Sequence, residues 1–274
     1  MPACIFKRGQ ANRREPVKAL LLAGGLGTRL REETEFRPKP MVEIGGRPIL
    51  WHIMKNLSTH GIHEFVIAVG YKGDMIKEYF LNYMARNNDF TIKLGDRDSL
   101  TFHGDHDESE WTVTIVDTGA LTETGGRVLR SQRYLDDGPF LVTYGDGLAD
   151  VDIAALQASH REAKCLATVT TVQPLSRFGV MEIDANKKVM SFREKPQLEG
   201  WVNIGFFIFE QEIFSYLKSD SVLERKPLEN LALNNQLSVF QHNGFWQPMD
   251  TYREVQILTD HWNSGLAPWK TWNS

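Results

Sequence analysis

A run of aliphatic residues that ends in three glycines constrains this chain more than any other feature. Residues 20–30 read LLLAGGLGTRL, with Val17 shortly before them. The aliphatic residues predict a parallel strand that is covered on both faces. The glycines at its end would let backbone N–H groups approach a ligand closely. Thr28 and Arg29 then supply a hydroxyl and a five-donor guanidinium, which indicates a phosphate-binding loop.

The spacing of these glycines excludes two familiar phosphate loops. A Walker A loop needs a lysine after its last glycine, and Thr28 follows Gly27 instead. The dinucleotide fingerprint Gly-x-Gly-x-x-Gly fails because its third glycine would fall on Leu30, which argues against an NAD-binding oxidoreductase. A tight strand-to-helix turn with one solvated arginine remains the simpler interpretation of this stretch alone.

Strand and helix patterns alternate through the first half of the chain. Strands are predicted at 17–23, 64–70, 111–117 and 139–144, and helices at 48–60, 73–86 and 125–135. We place Pro48 at the first helical position, where proline is favoured. Such alternation predicts an open, mostly parallel sheet with right-handed crossovers.

The second half of the chain has a different pattern. Three strands follow one another too closely for helical crossovers, at 178–184, 189–194 and 202–209, so we expect a small antiparallel portion with a hairpin turn at 184–186. Helices are predicted at 211–219, 226–235 and 252–264. Trp246, Trp262, Trp269 and Trp272 lie in the last 29 of the 274 residues, and a tail this aromatic should pack on the body or on a neighbouring subunit.

The composition indicates a soluble globular protein in a reducing, cytoplasmic setting. The chain is 42% hydrophobic with a net charge of −4, and no basic stripe favours nucleic acid as a partner. No apolar run is long enough to span a membrane. Cys4 and Cys165 are too few for a disulfide framework. Residues 1–16 are basic without an apolar segment, so we predict a disordered extension or a misplaced start, and a single domain over 17–274.

Two aspartates next to predicted strands or helices could hold a metal. Ligands of open α/β sheets bind at the carboxyl ends of the strands, where the sequence Gly145-Asp146-Gly147 falls. Asp146 could hold Mg²⁺, which prefers one or two carboxylates together with phosphate oxygens, or it could belong to an ordinary turn. Asp250 precedes a predicted helix and could be its N-cap, a metal ligand or both.

Three further stretches carry charges that could bind anions. Lys39 lies between Pro38 and Pro40, which should hold its side chain in one place. Arg127 follows two glycines at a predicted helix start, close to a possible anion site. Glu194 and Lys195 end a predicted strand and would suit a sugar hydroxyl and a phosphate, although a solvated ion pair is the simpler alternative. No serine or cysteine lies in a recognisable nucleophile motif.

These stretches together resemble the sugar-1-phosphate nucleotidyltransferases, and within them the glucose-1-phosphate cytidylyltransferases. The resemblance covers nearly everything after Val17. It is carried by LAGGLGTRL (22–30), RPKPMVEIGGRPILWHIM (37–54), VGYKGDMIKEYF (69–80), VDTG (116–119), TGGR (124–127), YGDGLADVDI (144–153), RFG (177–179), FREKP (192–196), NIGFF (203–207), GFWQPMDT (244–251) and APWKTW (267–272). It implies a Rossmann-like α/β nucleotidyltransferase domain, with a mostly parallel mixed sheet flanked by helices and a C-terminal helical tail.

The resemblance also implies an activity and a set of site residues. The activity is Mg²⁺-dependent transfer of a cytidylyl group from CTP to α-D-glucose 1-phosphate, giving CDP-glucose and pyrophosphate for surface polysaccharide synthesis. The residues that would bind the nucleotide are Leu22, Ala23, Gly24, Gly25, Leu26, Gly27, Thr28, Arg29, Lys39, Thr122, Arg127 and Gly145. Glu194, Lys195 and Asn203 would hold glucose 1-phosphate, and Asp146 and Asp250 would ligate Mg²⁺. Arg29, Lys39, Asp146 and Asp250 would form the catalytic group, in a homo-oligomer that could be a hexamer.

Two departures from the family pattern leave the substrates open. Ile204 stands where family members tend to have a second glycine beside the sugar site, and residues 118–125 diverge near the expected base-binding region. Another nucleotide, such as dTTP or UTP, or another sugar 1-phosphate therefore stays an alternative. A non-catalytic nucleotide-sugar-binding regulatory protein is the alternative from a different class.

Overall fold

The computed structural model describes residues 17–96, 98–176 and 178–272, so the predicted extension over residues 1–16 lies outside the described residues. The strands within these ranges are β1 (Ala19–Ala23), β2 (Glu43–Ile44), β3 (Arg47–Pro48), β4 (Glu64–Val69), β5 (Asp89–Thr91), β6 (Thr101–His103), β7 (Thr112–Asp117), β8 (Phe140–Tyr144), β9 (Gly147–Ala149), β10 (Ala167–Val172), β11 (Val180–Ile183), β12 (Val189–Arg193), β13 (Val202–Phe209), β14 (Leu237–Gln241) and β15 (Trp246–Pro248). The α-helices are α1 (Arg31–Thr34), α2 (Ile49–Thr59), α3 (Gly73–Leu81), α4 (Tyr83–Asn87), α5 (Thr124–Ser131), α6 (Ile153–Ala163), α7 (Lys226–Leu233) and α8 (Tyr252–Asn263). Short 3₁₀ helices cover Lys39–Met41, Gln132–Tyr134 and Gln211–Tyr216.

A seven-stranded sheet forms the centre of the fold, in the order β14-β10-β13-β8-β1-β4-β7. Strand β1 runs parallel to both of its neighbours, β4 and β8, and β4 runs parallel to β7. Strand β13 runs antiparallel to β8 and β10, and β10 runs parallel to β14. The prediction of a mostly parallel mixed α/β sheet is therefore confirmed.

Strand β1 is buried over its whole length because helices cover both faces of the sheet. Ala19, Leu21 and Ala23 face one apolar layer, whereas Leu20 and Leu22 face the other. A strand covered on both faces needs apolar side chains at every position, which explains its unbroken aliphatic run. This central position places the glycine-rich loop after β1 in the middle of the carboxyl edge of the sheet.

Several predicted helix boundaries differ from the structure. Helix α2 begins at Ile49, because Pro48 keeps an extended conformation (φ −56°, ψ 144°) and pairs in β3. The helix predicted over 73–86 is divided into α3 and α4 at Asn82, whose side chain donates to the carbonyl of Glu78. The helices predicted at 125–135 and 211–219 end early or tighten into 3₁₀ turns. Helix α6 and strands β10 and β14 were not predicted.

The small antiparallel portion that the sequence indicates is present. Strands β11 and β12 form a hairpin, and the carboxylate of Asp184 accepts hydrogen bonds from the backbone N–H groups of Asn186 and Lys188 in its turn. Apolar side chains on this hairpin, including Ile183, Met190 and Phe192, are more than half exposed. None of the helices among the described residues is long and apolar enough to cross a membrane.

The tryptophan-rich tail packs on the body of the protein, as predicted. Trp269 is fully buried, and its indole N–H donates to Nδ1 of His52 at 3.4 Å. Nε2–H of His52 donates in turn to the carbonyl of Ile44 at 2.8 Å. Burial lowers the pKa of His52 to about 4, so its ring is neutral at neutral pH. Trp262 covers Gly45, where an added Cβ atom would lie 1.9 Å from the indole nitrogen.

Candidate active site

The carboxyl ends of β1 and β8 bring the glycine-rich loop and Asp146 together. The two strands are adjacent and parallel, with Leu22 opposite Tyr144, and the backbone N–H of Gly145 donates to the carbonyl of Leu22. A cavity of about 280 Å³ opens at this edge. The predicted site residues that line it are Leu22, Ala23, Gly24, Gly25, Gly27, Thr28, Arg29, Lys39, Thr122, Arg127, Asp146 and Asp250. Leu26 and Gly145 adjoin these residues without lining the cavity.

At two positions of the loop, the lack of space for a side chain explains why the residue is glycine. Gly27 has a φ of +64°, and a Cβ atom there would lie 2.6 Å from the side chain of Thr34. A Cβ atom on Gly24 would lie 2.1 Å from the guanidinium of Arg127. The loop after β1 therefore packs directly on a buried cation, which explains why the strand gives way to glycine at Gly24.

Arg127 holds the ends of three strands together. Its buried guanidinium donates to the carbonyls of Gly24 (2.8 Å), Gly119 (2.9 Å) and Val69 (3.2 Å), which follow or end β1, β7 and β4. It also donates to the hydroxyl of Thr118 at 2.6 Å. Burial lowers the pKa of Arg127, and the neighbouring charge of Arg130 lowers it further. Arg127 thus shapes the floor of the cavity through its contacts with the protein.

Lys39 joins the two predicted metal ligands. The 3₁₀ helix Lys39–Met41 follows Pro38 and holds the lysine side chain 10% exposed. Its Nζ atom lies 2.7 Å from Oδ2 of Asp146 and 2.7 Å from Oδ1 of Asp250. Burial alone would lower the pKa of Lys39, but the two carboxylates hold it above its usual value. The prediction that the prolines hold Lys39 against a charge agrees with this geometry.

Asp250 lies just before α8 without capping it. The N-cap of α8 is Thr251, and Glu254 accepts hydrogen bonds from the backbone N–H groups of both Thr251 and Asp250. The alternative of Asp250 as the N-cap is therefore wrong, because the cap falls one residue later in a capping box. Oδ2 of Asp250 contacts Nη1 of Arg29 at 2.6 Å, and the Arg29 side chain is 76% exposed. Arg29 thus reaches from the glycine-rich loop across the mouth of the cavity.

The carboxylates fit a hard divalent cation better than a transition metal. Asp146 and Asp250 approach a single cationic nitrogen from two elements, so both lie within reach of one ion. Magnesium needs only one or two carboxylates when phosphate oxygens complete its shell. Within residues 17–96, 98–176 and 178–272, no cluster of three or more His, Cys, Asp or Glu side chains could hold a metal ion.

None of the three predicted sugar-phosphate residues lines the cavity. Glu194 and Lys195 end the β11–β12 hairpin with side chains 62% and 56% exposed, and they form an ion pair of 3.9 Å with each other. Asn203 lies on β13, where its Nδ2 atom is 3.5 Å from the hydroxyl of Tyr144. Of the three, only Asn203 touches a residue that lines the cavity.

Four lining residues were not predicted: Pro40, Glu123, Thr124 and Tyr144. Tyr144 is the last residue of β8, so the rule that ligands bind at strand ends could have identified it. Thr124 begins α5 one position after Glu123, and its sequence context gives no comparable signal.

Comparisons with known proteins agree with the geometry. A family model described as "Nucleotidyl transferase" matches residues 18–247. The chain is 49% identical over 259 residues to glucose-1-phosphate cytidylyltransferases of Salmonella typhi and Salmonella typhimurium, a match that spans 93% of this chain and 100% of each relative. The crystal structure of HddC from Yersinia pseudotuberculosis shares the fold, with a TM-score of 0.66 and 22% identity over 90% of this chain and 99% of that one. The chain belongs to the nucleotidyl transferase family.

Proposed function

We propose that this protein transfers a cytidylyl group from CTP to α-D-glucose 1-phosphate. An oxygen of the sugar phosphate attacks the α-phosphorus of CTP, the bond to the β-phosphate oxygen breaks, and CDP-glucose and pyrophosphate leave. The observation that carries the proposal is 49% identity to a glucose-1-phosphate cytidylyltransferase over that enzyme's full length. The convergence of Lys39, Asp146 and Asp250 at one cavity supports it.

The chemistry requires positioning and charge neutralisation more than a protein nucleophile. A sugar phosphate is largely dianionic at neutral pH, so its oxygen attacks without a general base. The difficulty is that two polyanions must meet at the α-phosphorus. The absence of a serine or cysteine nucleophile motif from the sequence is consistent with such direct transfer.

Arg29 and Lys39 supply the positive charge for this step. The exposed guanidinium of Arg29 lies at the mouth of the cavity beside the glycine-rich loop, where it can bind the triphosphate. Lys39 pairs with both carboxylates in the free chain and would exchange them for the α-phosphate when substrates bind. The loop from Leu22 to Thr28 would hold the base and phosphates through its backbone.

Asp146 and Asp250 are the residues that would hold Mg²⁺. When bound, the ion supplies charge neutralisation at the phosphates that react. The carboxylates contribute oxygens from two separate elements, the segment after β8 and the segment before α8, which fixes their spacing independently of the ligand. The backbone N–H of Met249 donates to the carbonyl of Asp146 at 2.9 Å and ties these two segments together.

The sugar side of the reaction would be formed by Asn203, Glu194 and Lys195. Asn203 lies beside Tyr144 at the edge of the cavity. Lys195 and Glu194 lie on an exposed hairpin end, where a half-exposed lysine can turn towards a phosphate.

We further propose that residues 17–274 form a single domain, because both apolar layers pack on one sheet. We also propose that the protein is a cytoplasmic homo-oligomer, in which a neighbouring subunit covers the apolar hairpin β11–β12.

The experiment that tests the proposal measures pyrophosphate release from the purified protein with Mg²⁺. CTP, UTP, dTTP, ATP and GTP are compared with glucose 1-phosphate as the acceptor. We expect CTP to give the highest kcat/KM by at least tenfold. Equal release with another nucleotide would contradict the proposed base, and no release with any nucleotide would contradict the proposed reaction.

A second candidate is the same reaction with another nucleotide or sugar. Thr122, Glu123 and Thr124 belong to the divergent segment 118–125 and line the cavity, so this segment can change base preference. Ile204 is buried next to Asn203, so it can change the shape of the sugar side. Repeating the assay with CTP and other sugar 1-phosphates separates these two sources of specificity.

A further inference from the structure

A continuous chain of hydrogen bonds connects the two sides of the cavity. The hydroxyl of Thr124 donates to Oε2 of Glu224 at 2.7 Å. The hydroxyl of Tyr144 donates to Oε1 of the same carboxylate. Asn203 extends the chain from the other side, because its Nδ2 atom lies 3.5 Å from the Tyr144 oxygen. Glu224 lies in the segment before α7 and does not line the cavity.

The chemistry of these groups fixes the direction of every bond. An ionised carboxylate can only accept, so both hydroxyls must donate to Glu224. The Thr124 oxygen accepts from the backbone N–H of Leu223 at 2.9 Å, which leaves its proton for the carboxylate. Burial and the charge of Glu224 raise the pKa of Tyr144, so the phenol keeps the proton that it donates. Both hydroxyl groups of the network therefore direct their protons at the Glu224 carboxylate.

The two ends of this chain belong to different substrate sides. Thr124 begins α5, next to Glu123 and Thr122 on the wall where we place the nucleotide. Tyr144 and Asn203 lie on the side where we place the sugar phosphate. One carboxylate thus holds a residue of each side.

The position of the Tyr144 ring is also fixed by the backbone of β13, on which it packs. Gly205 has a φ of +85°, and a Cβ atom there would lie 2.8 Å from the Tyr144 ring. The next residue, Phe206, also has a positive φ, and its carbonyl accepts from the hydroxyl of Thr170. The pairing of β13 with β10 shifts register here, and such bulges re-aim side chains beside active sites. The ring of Tyr144 therefore packs against the bulge, and its hydroxyl is held by the hydrogen bond to Glu224.

We propose that Glu224 is a positioning residue that sets the separation of the nucleotide and sugar-phosphate sides of the cavity. This inference rests on the function proposed above and adds a residue that touches neither substrate. Reaction rates depend steeply on alignment, because small displacements of the reacting atoms forfeit much of the advantage of bringing them together. Loss of the carboxylate should therefore weaken the binding of both substrates and slow the transfer step.

The test uses Glu224→Gln, which keeps the size of the side chain and removes one of its two acceptor oxygens. Tyr144→Phe and Thr124→Val remove the two donors one at a time, and Glu229→Gln on the exposed first turn of α7 is the matched control. For each variant, KM for CTP, KM for glucose 1-phosphate, kcat and Tm are measured on the full chain. Double variants of Glu224→Gln with each donor variant complete two mutant cycles.

We expect Glu224→Gln to raise both KM values and lower kcat, with a combined loss in kcat/KM of about tenfold or more. Tyr144→Phe should raise mainly the KM for glucose 1-phosphate, and Thr124→Val mainly the KM for CTP. Each double variant should lose no more than its worse single variant, because both members act through one contact. Glu229→Gln should behave like the unmodified protein.

Two results would overturn the inference: strictly additive losses in the cycles, or a lower Tm for Glu224→Gln with unchanged KM and kcat. Preference of the unmodified protein for another nucleotide or sugar would overturn only the proposed substrates, and the cycles would be measured with the preferred pair. If no pair is turned over, calorimetric binding of CTP and glucose 1-phosphate replaces turnover. Unchanged binding in Glu224→Gln, or no binding by the unmodified protein, would then overturn the inference.

Discussion

The ammonium nitrogen of Lys39 lies 2.7 Å from Oδ2 of Asp146, although 107 positions separate the two residues in the sequence. The same nitrogen reaches Asp250, so one positive charge holds two carboxylates in place within a partly buried pocket. Removing that charge would leave Asp146 without its lysine partner and Asp250 with Arg29 alone of the two cations described here. The cavity is therefore organised electrostatically before any substrate binds.

Lys39→Met should destabilise the metal-free protein. We expect a loss of about 2 kcal/mol in the free energy of unfolding, less than for a fully buried pair because Asp146 is partly exposed. Denaturant unfolding in chelator measures this loss, and Lys188→Met on the exposed hairpin is the control. Addition of Mg²⁺ should return part of the stability, since a cation can again lie between the carboxylates. An unchanged midpoint in chelator would argue against this account.

Asp146→Asn should remove most of the catalytic activity while the protein stays folded. Replacing a carboxylate by an amide weakens both the contact with Lys39 and the proposed hold on Mg²⁺, so kcat should fall by roughly a thousandfold. Asp220→Asn, a substitution at an exposed position, should leave kcat unchanged. Excess chelator should likewise stop turnover by the unmodified protein, and Mg²⁺ should restore it. Full activity of Asp146→Asn, or activity in chelator, would contradict the assigned role.

Gly24→Ala should destabilise the protein much more than Gly25→Ala. A Cβ atom on Gly24 would enter the space of the Arg127 guanidinium, whereas a Cβ atom on Gly25 meets nothing within 4 Å. Displacing Arg127 breaks its hydrogen bonds to the strand ends, so we expect a loss of about 2 kcal/mol for Gly24→Ala. Thermal unfolding measures the difference. If Arg127 is the cause, combining Gly24→Ala with Arg127→Ala should cost no more than Arg127→Ala alone.

Stability should fall as the pH is lowered from about 6.5 towards 4, and His52 should cause part of the fall. The folded pKa of His52, about 4, is below the value of an unfolded histidine, so the unfolded chain binds more protons in this window. The contribution of His52 to the free energy of unfolding is fully present above pH 6.5. It falls by about 3 kcal/mol as the pH drops through the folded pKa. Denaturant unfolding between pH 4 and 7 should give a shallower pH dependence for His52→Gln. If stability depends on pH equally in His52→Gln and in the unmodified protein, His52 does not contribute to the pH dependence.

The rule that ligands bind at strand ends accounts for what the sequence could predict about the cavity. Asp146 follows a buried strand and Lys39 lies between prolines, so both could be selected, and the structure brings them together. Asp250 could also be selected, but the choice between metal ligand and N-cap depended on a one-residue shift of the helix start. These predictions were possible because the residue type at the end of a strand or helix can be identified from its neighbours in the sequence.

Other parts of the fold and site depend on contacts that the local sequence does not contain. Strand β13 was predicted with the right bounds, but nothing local indicates that it inserts between β8 and β10. Glu224 reads as a charged residue before a helix, and its significance comes only from Tyr144 and Thr124. The break at Asn82 was likewise missed, because the apolar pattern continues across it.

The packing of Trp269 against His52 also orders events during synthesis of the chain. The segment of α2 is complete once residue 59 has been made, but His52 cannot contact Trp269 until residue 269 has been made. Gly45 likewise lacks the cover of Trp262, and Trp51 its T-shaped ring contact with Trp272, until each of those tryptophans has been made. A nascent chain with this apolar surface exposed is prone to association. The packing around α2 is therefore completed only by the tryptophan-rich tail.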